Sequence, residues 1–81
     1  MQVRKRDGSI EAFMPEKIVV SIVKSGAPYE TAREIAATIS ERTEAQLDTS
    51  VIRELVLDQL KRRGHEQSVI HWREYDARKH S

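Results

Sequence analysis

The stretch VRKRDGSIEAF, Val3 to Phe13, decides how the chain starts to fold. Asp7-Gly8 is a strong hairpin signal, because a type I′ turn needs positive φ at both central residues and this pair tolerates it. Two short strands follow, Gln2 to Arg6 and Ser9 to Phe13. Alternation puts Val3, Lys5 and Asp7 on one face of the first strand and Arg4 and Arg6 on the other. Neither face is cleanly apolar, and an isolated two-stranded ribbon is marginal in water. The hairpin must therefore lie against something else.

Downstream, the pattern turns helical. Pro15 suits a first helical position and precedes an apolar run with Ile18, Val19, Ile22 and Val23; Gly26 supplies the stop, giving a helix over Pro15 to Ser25. Pro28 starts YETAREIAATISERTEA, where Ala32, Ile35, Ala36 and Ile39 recur at i, i+3, i+4 and i+7. Thr49 and Ser50 are N-cap candidates for VIRELVLDQLKRR, with Ile52, Leu55, Val56 and Leu60 as its buried stripe and Gly64 just beyond. The tail HEQSVIHWREYDARKHS lacks Gly and Pro, and Val69 and Trp72 share a face, which predicts a fourth helix. The expected fold class is α+β: a small N-terminal β-hairpin packed on about four α-helices, as one domain over 1–81.

Composition narrows the function. The 81 residues contain no cysteine, which excludes disulfides, thiolate zinc sites and cysteine nucleophiles. No stretch approaches the roughly 18 apolar residues of a membrane span and no signal-peptide core is present, so the expected location is cytoplasmic. Fourteen Lys and Arg against 13 Asp and Glu leave a net charge of +1. A bulk-electrostatic nucleic-acid binder has a larger surplus, so nucleic acid is a disfavoured partner and any anion site must be local.

The cluster Arg4, Lys5, Arg6 admits two readings. Lys and Arg commonly protect an edge strand against pairing. Alternatively these cations, with Lys17 one turn into the first helix, converge on phosphates. Spacing alone does not decide between them. His65, His71 and His80 have no partners at metal-ligand spacing, and neither a Gly-x-Ser-x-Gly elbow nor a phosphate-binding glycine loop occurs, so no metal site and no enzymatic chemistry is expected. Trp72 and Tyr75 are either a stacking platform or, for Trp72 by preference, part of the core.

Val3-x-Lys5-Arg6-Asp7-Gly8-x-x-Glu11-x-Phe13-x-x-x-Lys17-Ile18, then Ser21-Ile22, and later Thr49-Ser50-x-Ile52-x-x-Leu55-Val56, resembles the ATP-cone domain. That module is a nucleotide-binding regulator found at the N-terminus of many ribonucleotide reductases and in the bacterial repressor of their genes. The resemblance covers nearly the whole chain. It implies that Lys5 and Arg6 face the triphosphate of ATP or dATP, with Mg²⁺ as the triphosphate's usual companion, and that Lys17 approaches from the first helix. It further implies that Val3, Glu11 and Ile18 frame base and ribose, and that Thr49 and Arg53 meet the nucleotide from the third helix.

Two positions depart from the pattern. Arg53 stands where a reductase-type cone can carry histidine, and the family's Tyr-Arg ending is matched only at Tyr75, followed by Asp76, with Arg78 or Lys79 as alternatives for its cation. The chain has neither the length for a catalytic partner segment nor the cysteines for a zinc ribbon, so it reads as a cone on its own. The implied partners are a nucleotide and a second copy or a separate protein such as a reductase subunit. The rival readings are a degenerate cone kept as an interaction module, and a small nucleic-acid-binding protein.

Overall fold

A computed structural model describes residues 1–79, the side chains of Asp76 and Lys79 excepted. The element order is β1 (Gln2–Arg4), β2 (Ile10–Ala12), α1 (Pro15–Lys24), α2 (Tyr29–Ser40), β3 (Gln46–Asp48), α3 (Thr49–Arg62) and α4 (Glu66–Lys79). The α+β architecture, with an N-terminal hairpin against four helices, agrees with the expectation.

The hairpin is shorter than predicted, and its turn is of another kind. Val3 pairs with Glu11 in an antiparallel register. The Lys5 N–H then donates to the Ser9 carbonyl at 2.8 Å and the Gly8 N–H to the Lys5 carbonyl at 3.0 Å. Within the turn Gly8 takes positive φ, at 89°, and Arg6 and Asp7 do not. A type I′ turn is therefore excluded. The connection is the three-residue form closed by a left-handed glycine. Asp7 contributes through its carboxylate, which accepts from the Ser9 N–H at 2.9 Å and the Ser9 hydroxyl at 2.6 Å. Lys5 and Arg6 consequently sit in the turn, past the strand.

The support that the ribbon required is a third strand not expected from the sequence. β3 pairs parallel to β1, with Val3 opposite Leu47, giving the order β2-β1-β3. Val3 is buried in this central strand. Claiming residues 46–48 for the sheet also shortens the second helix, which was expected to run through Ala45. It ends at Ser40, and beyond it Arg42 and Glu44 form an ion pair at 2.6 Å, two residues apart, a spacing that does not face on a helix.

The helical stripes lie as the periodicity requires. Ala32, Ile35, Ala36 and Ile39 of α2 meet Ile18, Val19 and Ile22 of α1, and Val56 and Leu60 of α3 complete the core. Leu57 is also buried, whereas Leu55 is only partly so. Gly26, at φ 105°, ends α1. The start of α3 differs from the prediction: Asp48 occupies the N-cap without a side-chain cap, and Thr49 is already helical. The Thr49 hydroxyl instead donates to the Arg4 carbonyl at 3.0 Å, tying the helix to the end of β1.

Candidate functional site

The turn, Val3 of β1, β2, one side of α1, the start of α3 and one side of α4 surround a cavity of about 850 Å³. Small-molecule sites span roughly 300–1,000 Å³. All eight residues singled out from the sequence, Val3, Lys5, Arg6, Glu11, Lys17, Ile18, Thr49 and Arg53, line this one cavity. They come from four separate elements and from the hairpin turn. Sequence spacing places none of them together; the three-stranded sheet and the Thr49 to Arg4 hydrogen bond do.

At its centre Glu11 stands between two lysines. Its carboxylate lies 3.2 Å from Lys5 Nζ and 3.6 Å from Lys17 Nζ. All three side chains keep substantial solvent contact, so each pair contributes little to stability, roughly 0–1 kcal/mol. Such pairs break readily when a more highly charged anion arrives. Arg6 makes no ion pair among the described residues, while Arg53 lies 3.9 Å from Glu54.

Charge is concentrated here. Lys5, Arg6, Lys17, Lys24, Arg53 and Arg78 line the cavity against Asp7, Glu11 and Glu74, in a chain whose net charge is only +1. The positive surplus is local, as the composition demanded. Two helix N-termini reinforce it, because α1 begins after Met14 and α3 after Asp48 with no side-chain cap on either. The helix dipoles favour negative charge there, although in α1 Pro15 has no N–H and the Lys17 N–H already donates to the Met14 carbonyl at 3.1 Å.

Apolar walls complete the pocket. Val3, Ile18 and Ile52 are nearly buried, and Phe13 and Trp72 are partly buried against the core while also lining the cavity. Core and platform are thus not exclusive readings for Trp72. Tyr75, 63% exposed, stands at the rim. Of the two alternatives for a C-terminal cation, Arg78 lines the cavity, and the Lys79 side chain lies outside the described residues, as do Asp76's side chain and His80.

Several wall residues were not singled out from the sequence. Lys24 belongs to a stripe with Lys17 and Ser21 at i, i+4 and i+7, a helical signal present in the sequence. His71 carried no such signal. Its Nδ1 lies 3.2 Å from the Ser25 carbonyl, which only accepts, so Nδ1 carries the hydrogen and α4 is joined to the end of α1. The Ser9 hydroxyl and N–H hold the Asp7 carboxyl below the ordinary range. Among the described residues, no group of three or more His, Asp or Glu is arranged to hold a metal, and no helix is long and apolar enough to cross a membrane.

No curated protein matches the chain. The family model described as the ATP cone domain matches residues 1–80.

Proposed function

The chain belongs to the ATP-cone family, a family of nucleotide-binding regulatory and not catalytic modules, and from that premise we propose that it binds ATP or dATP in the cavity between the hairpin and α1, α3 and α4. The observation that carries this reading is the convergence of Lys5, Arg6, Lys17, Thr49 and Arg53 on one cavity with apolar walls at Val3 and Ile18.

The triphosphate takes the cationic end. Lys5 and Lys17 exchange Glu11 for phosphate oxygens, Arg6 and Arg53 offer forked donors, and the uncapped start of α3 adds main-chain N–H groups. Glu11, once released, is placed to accept from a ribose hydroxyl, and the base rests against Val3 and Ile18. Any Mg²⁺ arrives with the phosphates and is held chiefly by them. Nothing in this arrangement calls for a nucleophile or a general base.

Regulation requires a second state whose population the nucleotide shifts through differential affinity. The α1 helix carries Lys17 on the cavity side and exposes Val20 and Val23 elsewhere, 51% and 42% accessible. It therefore links the site to an apolar outer face, and nucleotide-dependent association with a second copy or another protein, in deoxyribonucleotide metabolism, is the proposed output.

A thermal-shift titration with ATP, dATP, GTP and CTP, with and without Mg²⁺, tests binding. Ligand at 100 times its Kd adds about 2.7 kcal/mol, which for so small a domain raises Tm by about 10 °C or more. Adenine nucleotides should give the shift selectively. A folded Lys5→Ala/Lys17→Ala double variant should bind at least about tenfold more weakly, having lost two charge-assisted contacts. No shift with any nucleotide at millimolar concentration overturns the proposal and favours a cone kept for protein interaction alone.

A further inference from the structure

His71 lines the nucleotide cavity from α4, and one of its two ring nitrogens is already committed. Nδ1 donates to the Ser25 carbonyl at 3.2 Å, at the C-terminal end of α1. The main chain there lies close against α4: a Cβ built on Gly26 would stand 3.9 Å from the Ser68 hydroxyl oxygen and 4.0 Å from His71 Nδ1. The carbonyl, which only accepts, thereby fixes the tautomer. In the neutral ring Nε2 then carries no hydrogen, and its lone pair diverges from the Nδ1–H. Nε2 has no hydrogen-bond partner among the described residues. At the same end of the cavity Lys24 can only donate, and the Ser25 hydroxyl is spent on the Ile22 carbonyl at 2.6 Å. Nε2 is thus an acceptor whose orientation is set by the nitrogen beside it.

We propose that His71 is the residue that selects the base: Nε2 accepts a hydrogen bond from an exocyclic amino group, so the cavity prefers a 6-aminopurine to a purine with a carbonyl at that position. The proposal rests on the reading of this cavity as a nucleotide site. Lys17 lies in the first turn of α1 and Ser25 caps its end, eight residues on and about 12 Å along the axis. A triphosphate held at Lys5 and Lys17 therefore leaves the length of α1 beyond Ile18 for the base, with its amino edge toward the Ser25 end. A carbonyl in place of the amino group sets two acceptors face to face and leaves both without a donor. Discrimination by hydrogen bonding comes from that unsatisfied pair.

ATP and inosine triphosphate differ only along this edge of the base. The full chain is titrated calorimetrically with each at mildly alkaline pH, where imidazole is ordinarily neutral, as wild type, His71→Asn and His71→Gln, with circular dichroism to verify the fold. Asparagine sets its amide nitrogen near the place of Nδ1, which keeps the tie to Ser25, and has nothing at the place of Nε2. Glutamine reaches the place of Nε2 with an amide that turns either its oxygen or its nitrogen to the ligand. Wild type should prefer ATP by about three- to tenfold, the scale of one hydrogen bond. His71→Asn should weaken ATP by that factor and leave inosine triphosphate unchanged, and His71→Gln should keep ATP and admit inosine triphosphate. A strap that merely holds α4 to α1 would lower both ligands alike. An ATP preference that neither substitution moves overturns the proposal while leaving the nucleotide site intact, whereas a wild-type chain that binds neither ligand overturns both.

Discussion

The Thr49 hydroxyl and the main-chain carbonyl of Arg4 are joined by a 3.0 Å hydrogen bond between segments 45 residues apart. It fastens the uncapped start of α3 to the end of the central strand, immediately before the turn that carries Lys5 and Arg6. Thr49→Val keeps the shape and removes the donor. The expected loss is about 0.5–1.5 kcal/mol of stability, together with a several-fold loss of ATP affinity as the two halves of the site drift apart. Thr49→Ser should restore both. Chemical denaturation and calorimetric titration of the three proteins measure these effects.

Glu11 is paired with both Lys5 and Lys17. Glu11→Gln should therefore tighten binding of inorganic tripolyphosphate by up to about fivefold, the scale of an exposed ion pair, because no carboxylate competes for the lysines. The same change should weaken adenosine, which depends on the carboxylate as an acceptor. Opposite directions for the two ligands, read by calorimetry, distinguish this role from general charge attraction, which would improve only the anion.

Gly8 holds φ at 89°, and a Cβ built there meets nothing within 4 Å. The cost of Gly8→Ala is thus one of backbone alone, about 1–2 kcal/mol, visible as a lower denaturation midpoint at unchanged slope. Gly8→Asn should cost less, since asparagine enters the left-handed region more readily.

This turn also shows where the sequence stopped being informative. Asp-Gly marked the hairpin correctly, yet the pair is compatible with two turn geometries, and the hydrogen bonds of Lys5 and Ser9 that separate them depend on the register of the whole sheet. The helices were legible because Ile35, Ala36 and Ile39, or Ile52, Val56 and Leu60, repeat with the helical period. β3 was not, since Gln46–Asp48 is three residues with one apolar side chain and exists through its parallel pairing with β1. The candidate site was legible as a motif in Lys5, Arg6, Glu11 and Lys17. His71 joins it because α4 packs on α3 and reaches the end of α1 through the Ser25 carbonyl, a tertiary fact without a local signature.

Asp7 is fully exposed, and its carboxyl is held below the ordinary value of 3.8 by the Ser9 hydroxyl first and the Ser9 N–H second. Its folded-state pKa lies below its unfolded one, so its contribution to stability is present above about pH 4 and disappears as pH falls through the folded value. Asp7→Asn should narrow its stability gap to wild type as pH drops from 6 to 2.5. Parallel urea titrations across this range check the sign; a gap that widens on acidification is the contrary result.

The most direct test of the account is a ¹H–¹⁵N NMR titration of the chain with ATP. The α2 helix contributes no residue to the cavity and serves as an internal reference. The prediction is saturable perturbation of Lys5, Arg6, Glu11, Lys17, Ile18, Thr49 and Arg53, with α2 resonances from Ala32 to Ile39 nearly still. Perturbations absent at millimolar ATP, or centred on α2 with the seven residues unmoved, would contradict the assignment of the cavity as the nucleotide site.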